Sequence, residues 1–115
     1  MSYIYIMKAQ FKDGSGSFYK IGRTRKPAQR LKQIAQHPHI LVWGIAFDLF
    51  YVLLINADSP VGDETFWHQE FYHKRIGGYK TEWFTLELED IQQMYKYYGW
   101  LHSKDYDEKM KLFPF

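Results

Sequence analysis

Two short, largely apolar stretches near the start of the chain, residues 3–7 and 18–22, flank a polar segment. Both stretches are rich in aromatic and β-branched side chains, which favour β-strands. The segment between them, residues 12–17, reads KDGSGS, and its Asp-Gly and Ser-Gly pairs are typical of turns. This pattern predicts an N-terminal β-hairpin.

The two-residue period of a strand predicts which side chains of this hairpin share a face. If Tyr5 pairs with Lys20, both side chains point to one face, and the isoleucines point to the other, toward a core. These isoleucines are Ile4, Ile6 and Ile21. A slip of one residue would pair Tyr5 with Tyr19 instead, and the sequence leaves both registers open.

The rest of the pattern predicts helices and further strands. Pro27 opens a segment whose apolar residues recur at helical spacing, and residues 40–47 and 49–55 are nearly continuous apolar runs typical of interior strands. A helix from about Ser59 or Asp63 to His73, a short strand at 82–86 and a helix at 87–101 follow. We therefore expect a small α/β (α+β) fold with a short, mainly antiparallel sheet flanked by helices. Residues 1–102 are expected to form a single domain, and residues 103–115 a C-terminal tail.

Composition narrows the class of protein. The chain has 115 residues, of which 46% are hydrophobic, and it contains no cysteine. Disulfides and thiolate metal sites are thereby excluded, and a cytoplasmic protein is favoured. The start of the chain lacks the pattern of a signal peptide, and Gly44 and Asp48 interrupt the longest apolar region. We therefore expect no contact with a membrane.

Charge is spread unevenly along the chain. Residues 1–36 carry eight Lys and Arg against one Asp, whereas residues 37–115 carry seven against twelve acidic residues. A basic surface on an acidic body suggests a polyanion-binding face, although a solvated basic helix would show the same composition. The candidate nucleic-acid-binding residues are Arg23, Arg25, Lys26, Lys32 and Arg75, with Arg30 beside them.

Several segments also form an ordered set. The chain reads YIY at residues 3–5 and YKIGRT at 19–24, with Arg30 after them, and downstream it has Glu64, His68 and EWF at 82–84. This set resembles the GIY-YIG nuclease superfamily, and more narrowly its phage and bacterial branch with a YKIGRT-type second motif. Tyr3 stands where the family has its first glycine, and Ile34 stands where many members have a histidine.

The resemblance implies a metal-dependent endonuclease that hydrolyses phosphodiester bonds of DNA with Mg²⁺ or Mn²⁺. Tyr5 would be the base or hold the attacking water, with Lys20 lowering its pKa from the usual value of about 10. Arg30 would clamp the scissile phosphate, and Glu64 would hold the metal. His68 would complete the catalytic set.

Other readings stay open from the sequence. The departures from the family pattern motivate a catalytically inactive module that binds nucleic acid on the same fold. A protein-interaction domain using the aromatic C-terminal helix is a third hypothesis. DNA is expected as the partner ahead of RNA, and a homodimer through the apolar C-terminal end is an open alternative. Glu82 is assigned either a structural polar role or a second metal contact.

Overall fold

A single antiparallel sheet organises the part of the chain that the computed structural model describes, residues 2–36, 47–56, 60–76, 82–101 and 110–112. The elements are β1 (Tyr3–Phe11), β2 (Ser17–Thr24), α1 (Pro27–Gln36), β3 (Phe47–Asn56), α2 (Pro60–Glu70), β4 (Trp83–Phe84), α3 (Leu88–Leu101) and β5 (Met110–Leu112). The strand order is β4-β2-β1-β3-β5, and every pairing is antiparallel. The predicted α+β class and the N-terminal hairpin are confirmed.

The hairpin adopts neither of the two registers that the sequence left open. Tyr5 pairs with Gly22 and Met7 pairs with Lys20, a shift of two residues from the pairing of Tyr5 with Lys20. A shift of two keeps every side chain on its face, and Tyr5 and Lys20 still share one. The Tyr5 ring lies against Gly22, where a Cβ would come within 2.4 Å of the Tyr5 Oη. The ring therefore needs a glycine as its cross-strand partner.

Two hydrophobic clusters cover the two faces of the sheet. On one face the isoleucines of the hairpin pack under α2 and α3, as predicted; this cluster includes Ile4, Ile6, Ile21, Val52, Leu53, Trp67, Phe84, Ile91, Met94 and Tyr98. On the other face Tyr5, Met7 and Trp83 pack with Ile34 of α1. Trp83 and Phe84 of β4 are both buried, one in each cluster. Tyr5 and Lys20 thus belong to the face that carries α1.

Local hydrogen bonds define where the helices begin. The Thr24 hydroxyl accepts a bond from the Lys26 amide (3.0 Å), and the Tyr51 hydroxyl donates to the Pro27 carbonyl (2.7 Å). The second bond ties the first turn of α1 to β3. At the start of α3 the Glu87 amide donates to the Asp90 carboxylate (2.8 Å), which satisfies an amide that has no partner within the helix.

Two boundaries differ from those expected from the sequence. Helix α2 ends at Glu70 and not at His73, because residues Tyr72–Lys74 form a separate 3₁₀ turn. Residues Met110–Leu112, within the segment assigned to the tail, pair with β3 as the outer strand β5. The predictions for residues 40–46 and for Ser59 lie outside the described residues. Among the helices that the structure describes, none combines the length and apolar character needed to cross a membrane.

Candidate active site

Four side chains from distant parts of the chain line one cavity of about 250 Å³. Arg23 comes from the end of β2, Arg30 from α1, Glu64 from α2, and Glu82 from the residue before β4. Arg23 Nε lies 3.6 Å from Glu64 Oε2. Two guanidinium groups therefore face two carboxylates across a small space, and the antiparallel sheet with its two flanking helices brings them together.

Tyr5 lies next to this cavity, beneath Arg30. Its hydroxyl accepts a hydrogen bond from Arg30 Nε (3.4 Å), and its ring packs edge-on against Tyr51. Tyr5 is fully buried, and burial raises the pKa of its hydroxyl to about 12 although Arg30 acts in the opposite direction. The expected lowering of this pKa by Lys20 was wrong, because desolvation dominates and the Lys20 ammonium is paired elsewhere.

The partner of Lys20 is Glu82, 62 positions later in the chain. Only 6% of Lys20 is exposed, and its Nζ donates directly to Glu82 Oε2. Burial lowers the pKa of Lys20, and the Glu82 carboxylate partly opposes this. Burial is the largest influence on the pKa of Glu82 and acts to raise it, but the charge and hydrogen bond of Lys20, together with His68 and Arg30, outweigh burial and hold the pKa below its ordinary value. Lys20 and Glu82 are therefore a mutually dependent ion pair at the edge of the cavity.

Glu82 is the residue of this site that sequence reasoning underrated. It was assigned a structural or secondary role, yet it lines the same cavity as Glu64. The available signal was its place at the head of the EWF segment, directly before the strand that pairs with Lys20. Without the pairing of β2 with β4, nothing in the local pattern connects Glu82 to Lys20.

Of the two carboxyl groups that line the cavity, Glu64 is the one whose pKa is raised. Burial raises the pKa of its carboxyl, the nearby Glu82 charge adds to this effect, and Arg23 opposes it. Two carboxylates on one cavity suit Mg²⁺ or Mn²⁺, which protein sites bind through one or two carboxylates together with water and phosphate oxygens. Within the described residues no three His, Asp or Glu side chains converge, so the donor set fits such an open site and not a cage of protein ligands.

His68 lies one turn after Glu64 on α2 and is not part of the cavity lining. Its Nε2–H donates to the Ile21 carbonyl (2.8 Å), and its Nδ1 accepts from the Arg75 guanidinium (2.9 Å). These two bonds require the neutral ring, and burial lowers the pKa of His68 accordingly. His68 thus links α2 to β2 and contributes to the position of Glu64 relative to Arg23.

The basic residues divide into two groups. Arg25 and Lys26 border a second hollow of about 220 Å³ at the start of α1, which also contains Arg30. Because Arg30 belongs to both hollows, the basic surface runs without a break from α1 into the cavity. Lys32 is exposed on α1 and borders neither hollow. Arg75 also borders neither of these two hollows; it bonds to His68 and lies over the Phe84 ring.

Comparison with known proteins bears on the same residues. The family model of the T5orf172 domain matches residues 2–99, which run from before β1 to near the end of α3. The match includes every residue that lines the cavity. No curated protein and no solved structure matches the chain.

Proposed function

The chain belongs to the T5orf172 domain family, a phage-associated family of nuclease-like domains, and from this premise we propose that it is a metal-dependent endonuclease of the GIY-YIG type that hydrolyses DNA. The observation that carries the proposal is the cavity where Arg23 and Arg30 face Glu64 and Glu82. Metal-dependent hydrolysis of a phosphodiester uses cationic groups that stabilise the charge on the phosphate and carboxylates that hold the metal, and these groups must lie close together. The cavity offers both.

In this proposal Arg30 binds the scissile phosphate. Its planar guanidinium can present two parallel N–H donors to a phosphate, and its Nε is already oriented by the Tyr5 hydroxyl. Its place in both hollows lets it meet a strand that enters along the start of α1. Arg23, which contacts Glu64 here, would be available to the phosphate if Glu64 held the metal.

Glu64 and Glu82 would hold Mg²⁺ or Mn²⁺. When bound, the ion would neutralise developing charge on the phosphate and favour ionisation of a water. Burial and the neighbouring carboxylate disfavour the ionised form of Glu64, so a cation at this position relieves an existing penalty. Lys20 keeps Glu82 ionised and in place, which gives this buried lysine a role in the site.

Tyr5 acts as an orienting group in this proposal. With a pKa of about 12, its hydroxyl stays protonated at neutral pH and is a poor base in the absence of substrate. It accepts a bond from Arg30 and keeps its own O–H to donate. Because Tyr5 is fully buried and does not itself line the cavity, its role in this proposal is to hold Arg30 in place. His68 positions Glu64 through its bond to the Ile21 carbonyl.

The test is cleavage of plasmid DNA in the presence of Mg²⁺ or Mn²⁺. Glu64→Ala and Arg30→Ala are each expected to lower the rate by about 100-fold or more, the usual loss when a charge-stabilising group is removed. Lys96→Ala is the control, because Lys96 is an exposed basic residue of α3 that lines neither hollow and is not among the candidate nucleic-acid-binding residues. Cleavage that survives Glu64→Ala or Arg30→Ala would reject the assigned site.

The complete burial of Tyr5 favours one alternative, a module that binds nucleic acid on this fold without cutting it. A buried, neutral tyrosine is compatible with a site that no longer activates water. The alternative predicts binding that weakens steeply with salt, no cleavage with either metal, and binding that survives Glu64→Ala. Metal-dependent cleavage by the wild-type chain, lost in Glu64→Ala, would eliminate it.

A further inference from the structure

A third hollow, of about 400 Å³, opens on the flank of α2 beside the candidate active site. Thr65, His68, Gln69, Tyr72 and Arg75 line it. Its volume is in the range of pockets that hold small organic groups. Glu64 of the cavity and Thr65 of this hollow are consecutive residues of α2, and the Glu82 carboxylate of the cavity acts on the pKa of His68, so the two hollows lie close together.

The lining of this hollow matches the chemistry of a nucleobase. Tyr72 leaves 68% of its surface exposed, more than the other exposed large hydrophobic side chains of the described residues, so its ring is accessible to a ligand. Gln69 is exposed and brings an amide that both donates and accepts hydrogen bonds. The lining contains no carboxylate, and Arg75 gives it positive charge. An aromatic face, an amide and a guanidinium together can stack a base and read its edge.

The back wall of the hollow is rigid. The Arg75 guanidinium lies 5.4 Å from the Phe84 ring centre and bonds to His68, whose own ring lies 5.3 Å from Phe84. Because Phe84 is completely buried, this stack anchors the wall to the core. Tyr72 and Gln69 form the exposed rim opposite. Such a site is formed before a ligand arrives, which lowers the entropic cost of binding.

The three hollows follow one another along the surface. The hollow at the start of α1 shares Arg30 with the active cavity, and the third hollow begins at Thr65, the residue that follows Glu64 in α2. Resting on the proposed nuclease function, we infer that the third hollow binds an unstacked base next to the scissile phosphate, with Tyr72 as the stacking surface. A paired base in a duplex is hidden from such a pocket and costs free energy to extrude. The preferred substrate is therefore DNA with an unpaired nucleotide at the cut, as in a single strand, flap or mismatch.

The experiment measures binding in EDTA, where no cleavage occurs, by fluorescence anisotropy of a labelled single strand and of its duplex. Tyr72→Ala is expected to weaken single-strand binding by about 5- to 100-fold, the loss for one stacked base, and to change duplex binding by less than about twofold. Tyr72→Phe keeps the ring and should bind like wild type. Tyr97→Ala is the matched control, since Tyr97 is another exposed aromatic residue but lies on α3 against Phe66.

Each result has one meaning. Equal single-strand binding by wild type and Tyr72→Ala would overturn the pocket, even if plasmid cleavage depends on Glu64 and Arg30 as proposed. Equal losses for single strand and duplex would also overturn it, because the ring would then be a general contact. Absence of any DNA binding by the wild-type chain would reject the proposed function and the pocket together. A loss confined to the single strand, restored in Tyr72→Phe, supports the pocket whether or not the chain cuts.

Discussion

Substitution of Gly22 by alanine tests how the hairpin positions the site. Gly22 pairs with Tyr5 across β1 and β2, and the tyrosine ring lies against its backbone. A Cβ at this position would lie 2.4 Å from the Tyr5 Oη and 2.6 Å from its Cζ, whereas ordinary contact begins near 3.4 Å. The ring must therefore retreat by about 1 Å or the strands must separate.

The surroundings leave the ring little space for this movement. Tyr5 is fully buried, packs against Tyr51 with ring centres 5.3 Å apart, and holds Arg30 through its hydroxyl. Overpacking of this kind costs about 1–3 kcal/mol, and loss of the bond to Arg30 adds about 1 kcal/mol. We expect Gly22→Ala to lower the free energy of unfolding by about 3 kcal/mol, which for a chain of this length corresponds to a Tm about 10–15 °C lower.

Thermal and urea unfolding followed by circular dichroism would measure this loss. The double variant Gly22→Ala/Tyr5→Leu supplies the control, because a smaller side chain at position 5 removes the clash and should make the alanine nearly neutral. Gly14→Ala provides a second comparison: nothing lies within 4 Å of its added Cβ, and its φ of +78° should cost only about 1 kcal/mol. A Tm for Gly22→Ala within about 2 °C of wild type, or strictly additive effects in the double variant, would refute the reasoning.

Three further predictions concern the charged groups of the site. Lys20→Met should lower the free energy of unfolding, measured with urea, by about 2 kcal/mol. The loss is smaller than for a fully buried ion pair because the Glu82 side chain is 38% exposed. The double variant Lys20→Met/Glu82→Leu should recover part of this loss, and additive losses would contradict the pairing. Glu64→Gln should raise stability at pH 7 by about 0.5 kcal/mol, since a carboxyl with a raised pKa destabilises the fold above that pKa. The difference should vanish below the unfolded pKa near 4.5, and a gain that grows toward pH 4 in melting experiments would have the wrong sign. Mn²⁺ at about 100 times its Kd should stabilise the wild-type chain by about 2.7 kcal/mol in thermal melts but not Glu64→Gln, and equal shifts in both would place the ion elsewhere.

Local patterns in the sequence were sufficient for the elements and their faces. The two-residue period placed Tyr5 and Lys20 on one face of the hairpin and the isoleucines on the other. The observed register is shifted by two residues from the pairing of Tyr5 with Lys20, and a shift of two leaves every side chain on the same face. The proline at the start of α1 and the helical spacing after it located that helix. These features follow from backbone geometry repeated over a few residues, which a sequence displays directly.

The chemistry of the site depended on contacts that no local pattern contains. Lys20 meets Glu82 across 62 positions because β4 pairs with β2, and this pairing withdraws the lysine from Tyr5. Desolvation then moves the pKa of Tyr5 upward, opposite to the direction expected from the motif. The neutral bridge made by His68 has the same origin, since its partners come from another strand and from beyond its helix. A pKa depends on burial and on distances to charges, and both are set when separate segments pack together.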